Sequence, residues 1–257
     1  MNRRSCALTR VAFVIAAVLL LPTASFAQIK VIISGGFSAA YREALPEFER
    51  TTGIKVTTSS GGSFGSDPNT IGAQLRRGVS ADVVILSREG LSELIAEGRI
   101  ITGTDTDLAQ VPLGVAVRAG APKPDISTVE SLRQTLLRAK SVTFTSSTSG
   151  VYLTTTLFPR LGIADEMARK STTSGVAAVA RGDAEIAVQP ISELLPVVGV
   201  DVVGTIPAEV QKINVYAAAL VAGSKETDAS KRLIAFLASD GATAAIKKSG
   251  MEPSKRR

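Results

Sequence analysis

The chain has 257 residues, of which 45% are hydrophobic and 20% are charged, and its formal net charge is +6. This balance is typical of a globular protein, long enough for one large domain or two smaller ones, and it argues against a disordered chain. Aromatic residues make up only 4%, and the basic residues are scattered, so nucleic acid is not expected as a partner.

The sequence contains no histidine and a single cysteine, Cys6. Without histidine, the chain cannot use Ser-His-Asp chemistry or a histidine general base, and it lacks the ligand of the usual zinc and copper sites. We therefore expect no metal site and no bound cofactor. Any proton-transfer group would have to be Glu, Asp, Lys or Tyr.

Residues 1–27 have the pattern of a secretory signal peptide. A basic start with Arg3 and Arg4 precedes the apolar run Val11–Leu21, and Ser25-Phe26-Ala27 has the small-x-small form of a cleavage site. A membrane anchor is the alternative, but the apolar run is shorter than the roughly 20 residues that a span requires. We expect cleavage after Ala27 and a periplasmic mature protein.

The first half of the remaining chain alternates apolar runs with amphipathic segments. Its predicted strands are Ile29–Ile33, Ile54–Thr58, Asp82–Leu86 and Val111–Arg118, and its predicted helices include Ala39–Thr51 and Thr70–Arg77. Strands that alternate with helices favour a parallel sheet covered on both faces.

A second α/β pattern follows the Gly/Pro-rich segment 119–124. Its predicted helices are Val129–Arg138, Val151–Leu161 and Val176–Arg181, and its predicted strands are Ser141–Thr145, Glu185–Val188 and Val200–Val203. The apolar run Ile213–Val221 could carry the chain back to the first half. The sequence therefore predicts two α/β lobes with a ligand cleft between them, lobe 1 comprising 28–112 and 216–257 and lobe 2 comprising 113–215.

Four short stretches rich in Ser, Thr and Gly come at or just before predicted helix starts. They are residues 34–38, 59–63, 146–150 and 171–175. Such loops present unpaired backbone N–H groups, hydroxyls and the positive end of a helix dipole. One of them is an ordinary N-cap, but four in one chain suggest that several helix starts converge on one anion.

At this point the chain resembles the periplasmic solute-binding proteins of the molybdate-binding type. The resemblance covers nearly all of the mature chain, and its motifs are residues 34–38, 48–56, 81–87, 149–152 and 179–188. It implies a type II periplasmic binding fold, in which two lobes, each a mainly parallel sheet flanked by helices, are joined by two hinge strands. Hydroxyl and backbone N–H groups would hold an oxyanion between the lobes without a charged partner.

The resemblance also places the ligand contacts. Two ligand serines of the molybdate binders correspond to Gly36 and Ser63 in this chain, and the third and fourth ligand loops correspond to positions near Ser149 and Thr172. A ligand tyrosine that those proteins carry after a late strand corresponds to Pro190. Positions 36 and 190 therefore lack the hydroxyl group of the matching family residue. The predicted ligand-binding residues are Gly36, Phe37, Ser38, Ser63, Ser149, Gly150, Thr172, Thr173 and Gln189.

The resemblance implies a monomer that captures a small anion, molybdate by family default, and delivers it to a membrane ABC permease. Aconitate isomerase, a secreted enzyme, is similar to the same family, so a cofactor-free isomerase acting on cis- and trans-aconitate, or a protein that binds an organic tricarboxylate, is the alternative. Arg88 and Tyr152 would lead the site of such an enzyme. Glu193 could be a base, but we favour a surface position for it.

Overall fold

Residues 28–255 are described by the structure, a computed structural model, so the predicted signal peptide lies outside the described residues. The strands are β1 Gln28–Ile33, β2 Lys55–Ser60, β3 Val83–Ser87, β4 Thr106–Arg118, β5 Val142–Thr143, β6 Ser171–Thr172, β7 Ile186–Pro190, β8 Val200–Thr205, β9 Ile213–Leu220 and β10 Glu252–Pro253.

The longer helices are α1 Gly35–Thr52, α3 Arg88–Ala96, α4 Val129–Arg138, α10 Thr227–Leu237 and α11 Asp240–Lys248. The shorter ones are α2 Ile71–Arg76, α5 Thr148–Tyr152, α6 Phe158–Arg160, α7 Ala164–Lys170, α8 Val176–Arg181 and α9 Ile191–Leu194. A π-helical turn, Leu153–Leu157, joins α5 to α6 without a break, and Ala208–Val210 forms a 3₁₀ turn. None of the helices within residues 28–255 is long and apolar enough to cross a membrane.

The strands form one mixed, curled sheet in the order β2-β1-β3-β9-β4-β7-β5-β6, with β8 and β10 also paired to β4. The long strand β4 belongs to both halves of this sheet. Its residues 106–112 pair with β9 and its residues 113–117 pair with β7. The change of partner marks the passage between two lobes, and β9 returns the chain to lobe 1, where it pairs with β3. The predicted two-lobed α/β fold is confirmed, although antiparallel strands accompany the parallel ones.

The unbroken apolar run of β3 is explained by helices on both faces of the sheet. Val83 and Ile85 belong to the hydrophobic cluster on one face, and Val84 and Leu86 to the cluster on the other. Because successive side chains of a strand point to opposite faces, a strand covered on both sides is apolar throughout. Lobe 2 likewise has two clusters.

Helix α1 begins four residues earlier than the sequence pattern suggested. The stretch 34–38, expected as a loop, supplies the N-cap Ser34 and the first turn of the helix. The helix runs through Pro46 and ends at Gly53, whose φ of 71° is left-handed and whose N–H bonds to the Glu49 carbonyl. This early start brings the first turn of α1 to the end of β1, at the cleft.

The packing of α1 on α10 generates a stability prediction. Phe48 is fully buried, and its ring centroid lies 5.5 Å from that of Phe236. Phe48→Ala should lower the free energy of unfolding by about 3–5 kcal/mol, because it removes buried apolar area and leaves a cavity. Urea denaturation would measure this loss. Val198→Ala, at a side chain that is 93% exposed, is the control and should change stability by less than about 0.5 kcal/mol; equal effects would contradict the packing described.

Candidate ligand-binding site

A polar cavity of about 270 Å³ lies between the two lobes. Its walls come from two helix starts, from the loops that follow β2 and β5, and from the hinge strand β9. They are lined by Ser34, Gly35, Gly62, Ser63, Phe64, Asp67, Asn69, Thr70, Thr145, Ser146, Ser147, Thr148, Ser149, Thr173, Glu193, Asn214 and Tyr216. Both lobes contribute, so the cavity is complete only in this closed arrangement.

The start of α1 forms one wall, and the hydroxyl of its N-cap is left unpaired. This residue, Ser34, makes no side-chain capping bond, and its buried hydroxyl has no hydrogen-bond partner among the described residues. The first N–H groups of a helix have no intrahelical acceptor. Ser34 and Gly35 therefore present an unpaired hydroxyl and helix-start N–H groups to the cavity.

The start of α5 forms the opposite wall and is left uncapped for a different reason. The hydroxyl of its N-cap, Ser147, accepts hydrogen bonds from the N–H groups of Ser63 (3.0 Å) and Phe64 (3.3 Å) in lobe 1. A second cross-lobe bond joins the hydroxyls of Ser87 and Thr148 at 2.8 Å. These bonds hold the lobes together and leave the first turn of α5 free to bind an anion.

The hinge strand β9 adds two side chains, Asn214 and Tyr216. Asn214 is 1% exposed. Its side-chain amide interacts with the Tyr216 hydroxyl but makes no well-formed hydrogen bond to another described residue. Buried amides are normally fully paired, so this one has hydrogen-bonding capacity left for a ligand in the cavity. Burial raises the pKa of Tyr216 well above its usual value, the nearby Glu193 carboxylate adds to the effect, and the interaction with Asn214 opposes it. Its phenol is therefore a neutral hydrogen-bond donor.

Tyr216 also explains why position 36 is glycine. A Cβ added to Gly36 would lie 1.7 Å from the Tyr216 hydroxyl oxygen, which real atoms cannot do. The tyrosine hydroxyl thus occupies the space that a side chain at position 36 would need. The hydroxyl that the resemblance to molybdate binders led us to expect at Gly36 is absent, and one from the hinge strand stands in its place.

Glu193 lies in the cavity and not on the outer surface, so the surface position that we favoured from the sequence is wrong. It follows β7 in the first turn of α9, and its Oε2 accepts a hydrogen bond from the side-chain amide of Gln189. Burial raises the pKa of Glu193 to about 7, and the Gln189 bond opposes this rise. Near neutral pH both the acid and the carboxylate are populated.

No lysine or arginine lines the cavity among the described residues, whereas the carboxylates Asp67 and Glu193 do. Arg88, one of the two residues expected to lead the site of an isomerase, is engaged elsewhere. Its Nη1 lies 2.7 Å from Asp105 and its Nε 2.8 Å from Asp107, and the Arg88 bond lowers the pKa of Asp105. Arg88 thus has its own anionic partners outside the cavity.

Tyr152 also lies outside the cavity lining. Its hydroxyl donates to the Val210 carbonyl at 2.8 Å, and the Lys212 ammonium lies 5.9 Å from its ring centroid. These contacts link lobe 2 to the hinge segment that leads into β9. Tyr152 is therefore placed to hold that segment, and neither Tyr152 nor Arg88 lines the cavity.

The structure brings three of the predicted ligand-binding residues, Ser63, Ser149 and Thr173, to the cavity wall. A fourth, Gln189, is 2% exposed and contacts it through Glu193. Gly36 abuts the Tyr216 hydroxyl.

The other predicted residues lie behind the wall. Phe37 is fully buried in the core of lobe 1. The Ser38 hydroxyl donates to the Ser34 carbonyl at 3.2 Å, and Gly150 packs closely on the Thr145 carbonyl. The fourth loop begins as strand β6, and its Thr172 hydroxyl donates to Thr143. These residues support the wall, and their side chains do not line it.

A larger and more open groove of about 970 Å³ lies on lobe 2, lined by α4 and by residues such as Arg118 and Glu185. None of its lining residues carries a buried polar atom without a partner, in contrast to the interlobe cavity, where Ser34 and Asn214 do. Among residues 28–255 there is also no cluster of three or more His, Cys, Asp or Glu that could hold a metal. The interlobe cavity is the candidate ligand site.

The comparisons with known proteins agree with this architecture. The sequence model of a bacterial extracellular solute-binding protein family matches residues 29–252. The chain belongs to this family. The recognition of a solute-binding protein from the sequence motifs is thereby confirmed.

Individual relatives refine the comparison. An aconitate isomerase from a Pseudomonas species is 38% identical over 246 residues, 94% of each chain. Among solved structures, the periplasmic molybdate-binding protein of Azotobacter vinelandii has a TM-score of 0.70 at 17% identity and covers 89% of this chain and 100% of its own. The binding protein AgtB of A. tumefaciens, in complex with agropinic acid, has a TM-score of 0.66 at 13% identity, covering 88% and 83%. These two structures show the fold alone.

The close approach of Tyr216 to Gly36 is testable by a double-mutant cycle. Gly36→Ala should destabilise the protein by about 1–3 kcal/mol, because the new methyl group overlaps the tyrosine hydroxyl. The cost should fall in a Tyr216→Ala background, where that overlap is gone. Thermal or urea unfolding of the four proteins would give the coupling energy.

Gly35→Ala is the matched control for this cycle. Its Cβ would lie 3.7 Å from the nearest atom, an oxygen of Glu193, which is an ordinary contact distance. Since alanine favours helices over glycine by up to about 1 kcal/mol, this variant should be neutral or slightly more stable. A Gly36→Ala variant as stable as Gly35→Ala would contradict the position assigned to Tyr216.

Proposed function

We propose that the protein binds a small tricarboxylate between its lobes and isomerises aconitate. The observation that carries the proposal is the presence, in one cavity, of unpaired anion-binding groups and of a carboxyl group, Glu193, that exchanges its proton near neutral pH. The aconitate isomerase relative, which matches over 94% of both chains, supports the assignment of this substrate.

The polar groups that face the cavity can bind the carboxylates of the substrate. Two helix starts, the Ser34 hydroxyl and the Asn214 amide all face the cavity. Each helix start carries a partial positive charge of about half an elementary charge, and together with neutral donors it can replace the water around a carboxylate. No side chain of opposite charge is required.

The size of the cavity favours an organic acid over a single oxyanion. The cavity volume of about 270 Å³ is several times the roughly 30 Å³ that one water molecule occupies in the liquid. A tetrahedral oxyanion such as molybdate would fill only part of this space. A six-carbon tricarboxylate would fill most of it and reach both helix starts.

The reaction itself requires a base, an acid and stabilisation of developing negative charge. Converting cis-aconitate to trans-aconitate involves removing a proton from the methylene carbon, which is next to a carboxylate, and adding a proton to the far carbon of the original double bond, with no net oxidation or reduction. A carboxyl group with a pKa of about 7 is suited to both steps near neutral pH. Donors that face the substrate carboxylates would stabilise the charge.

Capture of an oxyanion for transport is the second candidate function. Membership of the solute-binding family favours it, as does a cavity lined by hydroxyl and N–H groups with no lysine or arginine among its described lining residues. In this proposal the protein is a periplasmic monomer. The predicted signal peptide directs its export and is removed by cleavage after Ala27. Its closed form would deliver molybdate or a similar anion to a membrane ABC permease.

Incubation of the purified protein with cis-aconitate tests the proposal. The trans isomer should accumulate in NMR spectra until equilibrium, without added metal or cofactor, and trans-aconitate should raise the melting temperature. A protein that gives no trans isomer, and that is stabilised by molybdate but not by trans-aconitate, would overturn the isomerase proposal in favour of transport.

Asn214→Leu provides a control on the site. The variant replaces a buried amide, whose one interaction among the described residues is with the Tyr216 hydroxyl, by an apolar group of similar size. The ligand-free protein should therefore be about as stable as the wild type. Its stabilisation by trans-aconitate should be lost or strongly reduced. Full retention of that stabilisation would place the ligand away from β9.

A further inference from the structure

We infer that Glu193 is the residue that moves the proton, removing it from the substrate carbon as a carboxylate and returning it as the acid, while Tyr216 donates a hydrogen bond to the substrate. This assignment rests on the proposed isomerase function. It comes from the contacts of the titratable side chains that line the cavity.

The titratable groups of the cavity wall, within residues 28–255, are Asp67, Glu193 and Tyr216. Asp67 lies in the loop after β2, and both of its oxygens have partners. Oδ1 accepts from the Asn69 N–H at 2.7 Å, and Oδ2 is 3.5 Å from the Ser146 hydroxyl across the cleft. These contacts assign Asp67 to shaping its loop and closing the lobes.

Glu193 differs because only one of its oxygens is held. Gln189 donates to Oε2, which fixes the orientation of the carboxyl group. Oε1 accepts no hydrogen bond from the described residues and lies 3.7 Å from the Cβ position of Gly35. It is therefore directed toward the start of α1, where a substrate carboxylate would bind, and the carbon next to that carboxylate would come within its reach.

Tyr216 approaches the same turn of α1 at the next residue. Its hydroxyl lies 1.7 Å from the Cβ position of Gly36, next to Gly35 in the chain. Glu193 and Tyr216 therefore face adjacent residues of one helix turn. Burial keeps Tyr216 in its neutral form by raising its pKa well above the usual value, so the phenol can donate to developing charge but does not compete as the base.

Glu193 alone can supply both proton transfers. Its carboxylate takes a proton from the methylene carbon, and the electrons of the broken C–H bond form a new C=C bond to the central carbon. The electron pair of the old C=C bond then forms a C–H bond at the far carbon of that old bond, using the proton of the Glu193 acid. Glu193 ends as the carboxylate, and no oxidant, reductant or further reactant is consumed.

Kinetics of Glu193→Gln test the assignment. The variant keeps the size of the side chain but cannot carry the proton, so kcat for cis-aconitate should fall by about 10²–10⁴-fold. Stabilisation by trans-aconitate should be retained.

The pH dependence of the wild type gives a second test. Its kcat/KM should rise with pH through about 7, because the carboxylate form of Glu193 then replaces the acid. The other titratable groups near the site are Asp67, Tyr216 and Glu89, which also acts on Tyr216. These three groups are unchanged in Glu193→Gln.

Further variants separate proton transfer from a structural role. Glu252→Gln makes the same chemical change at an exposed position and should keep full activity. Glu193→Ala should recover part of its activity on addition of formate, which a structural role would not produce.

Two outcomes would overturn the assignment. One is a Glu193→Gln variant that retains more than a tenth of the wild-type kcat, and the other is an Asp67→Asn variant that loses turnover while Glu193→Gln keeps it. A wild type that neither isomerises cis-aconitate nor exchanges its methylene protons with D₂O overturns the proposed function as well.

Discussion

The candidate site depends on helix-start N–H groups that face the cleft without a capping side chain. At α4, the side chains of Thr128 and Ser131 cap the helix reciprocally, so that start has little left to offer a ligand. At α1 and α5, the N-cap hydroxyls of Ser34 and Ser147 make no such bond. Buried donors without a partner carry a free-energy cost that a bound anion would remove.

The same constraint couples ligand binding to lobe closure. Ser147 leaves its own helix uncapped because its hydroxyl accepts two N–H groups from the opposite lobe. Ser63, one of these two donors, is fixed within lobe 1, because its hydroxyl accepts the N–H of Ser87 at 3.0 Å. An anion between α1 and α5 would favour the closed state by interacting with both lobes at once. Closure would also exclude water from Glu193, and a drier site keeps its pKa raised.

Much of the fold could be predicted from the sequence, because buried strands are apolar throughout and three of the four Ser/Thr/Gly stretches contain or directly precede a helix start, whereas residues 59–63 end β2 and enter a loop. Ser63, Ser149 and Thr173 followed from those stretches. Tyr216 and Asn214 did not, since they belong to a strand whose pattern indicates only burial. Arg88 binds Asp105 and Asp107, which lie in a later segment of the chain. No local sequence pattern predicts that these two carboxylates pair with it. The position of Glu193 likewise depends on how α9 packs against α1, which sequence periodicity does not encode.

A crystal structure of the protein with trans-aconitate would show whether the interlobe cavity is the ligand site. We expect one molecule in this cavity, with separate carboxylates against the first turns of α1 and α5 and a polar contact to Asn214. A ligand bound instead in the groove along α4, or a cavity that stays filled with water at saturating trans-aconitate, would contradict it.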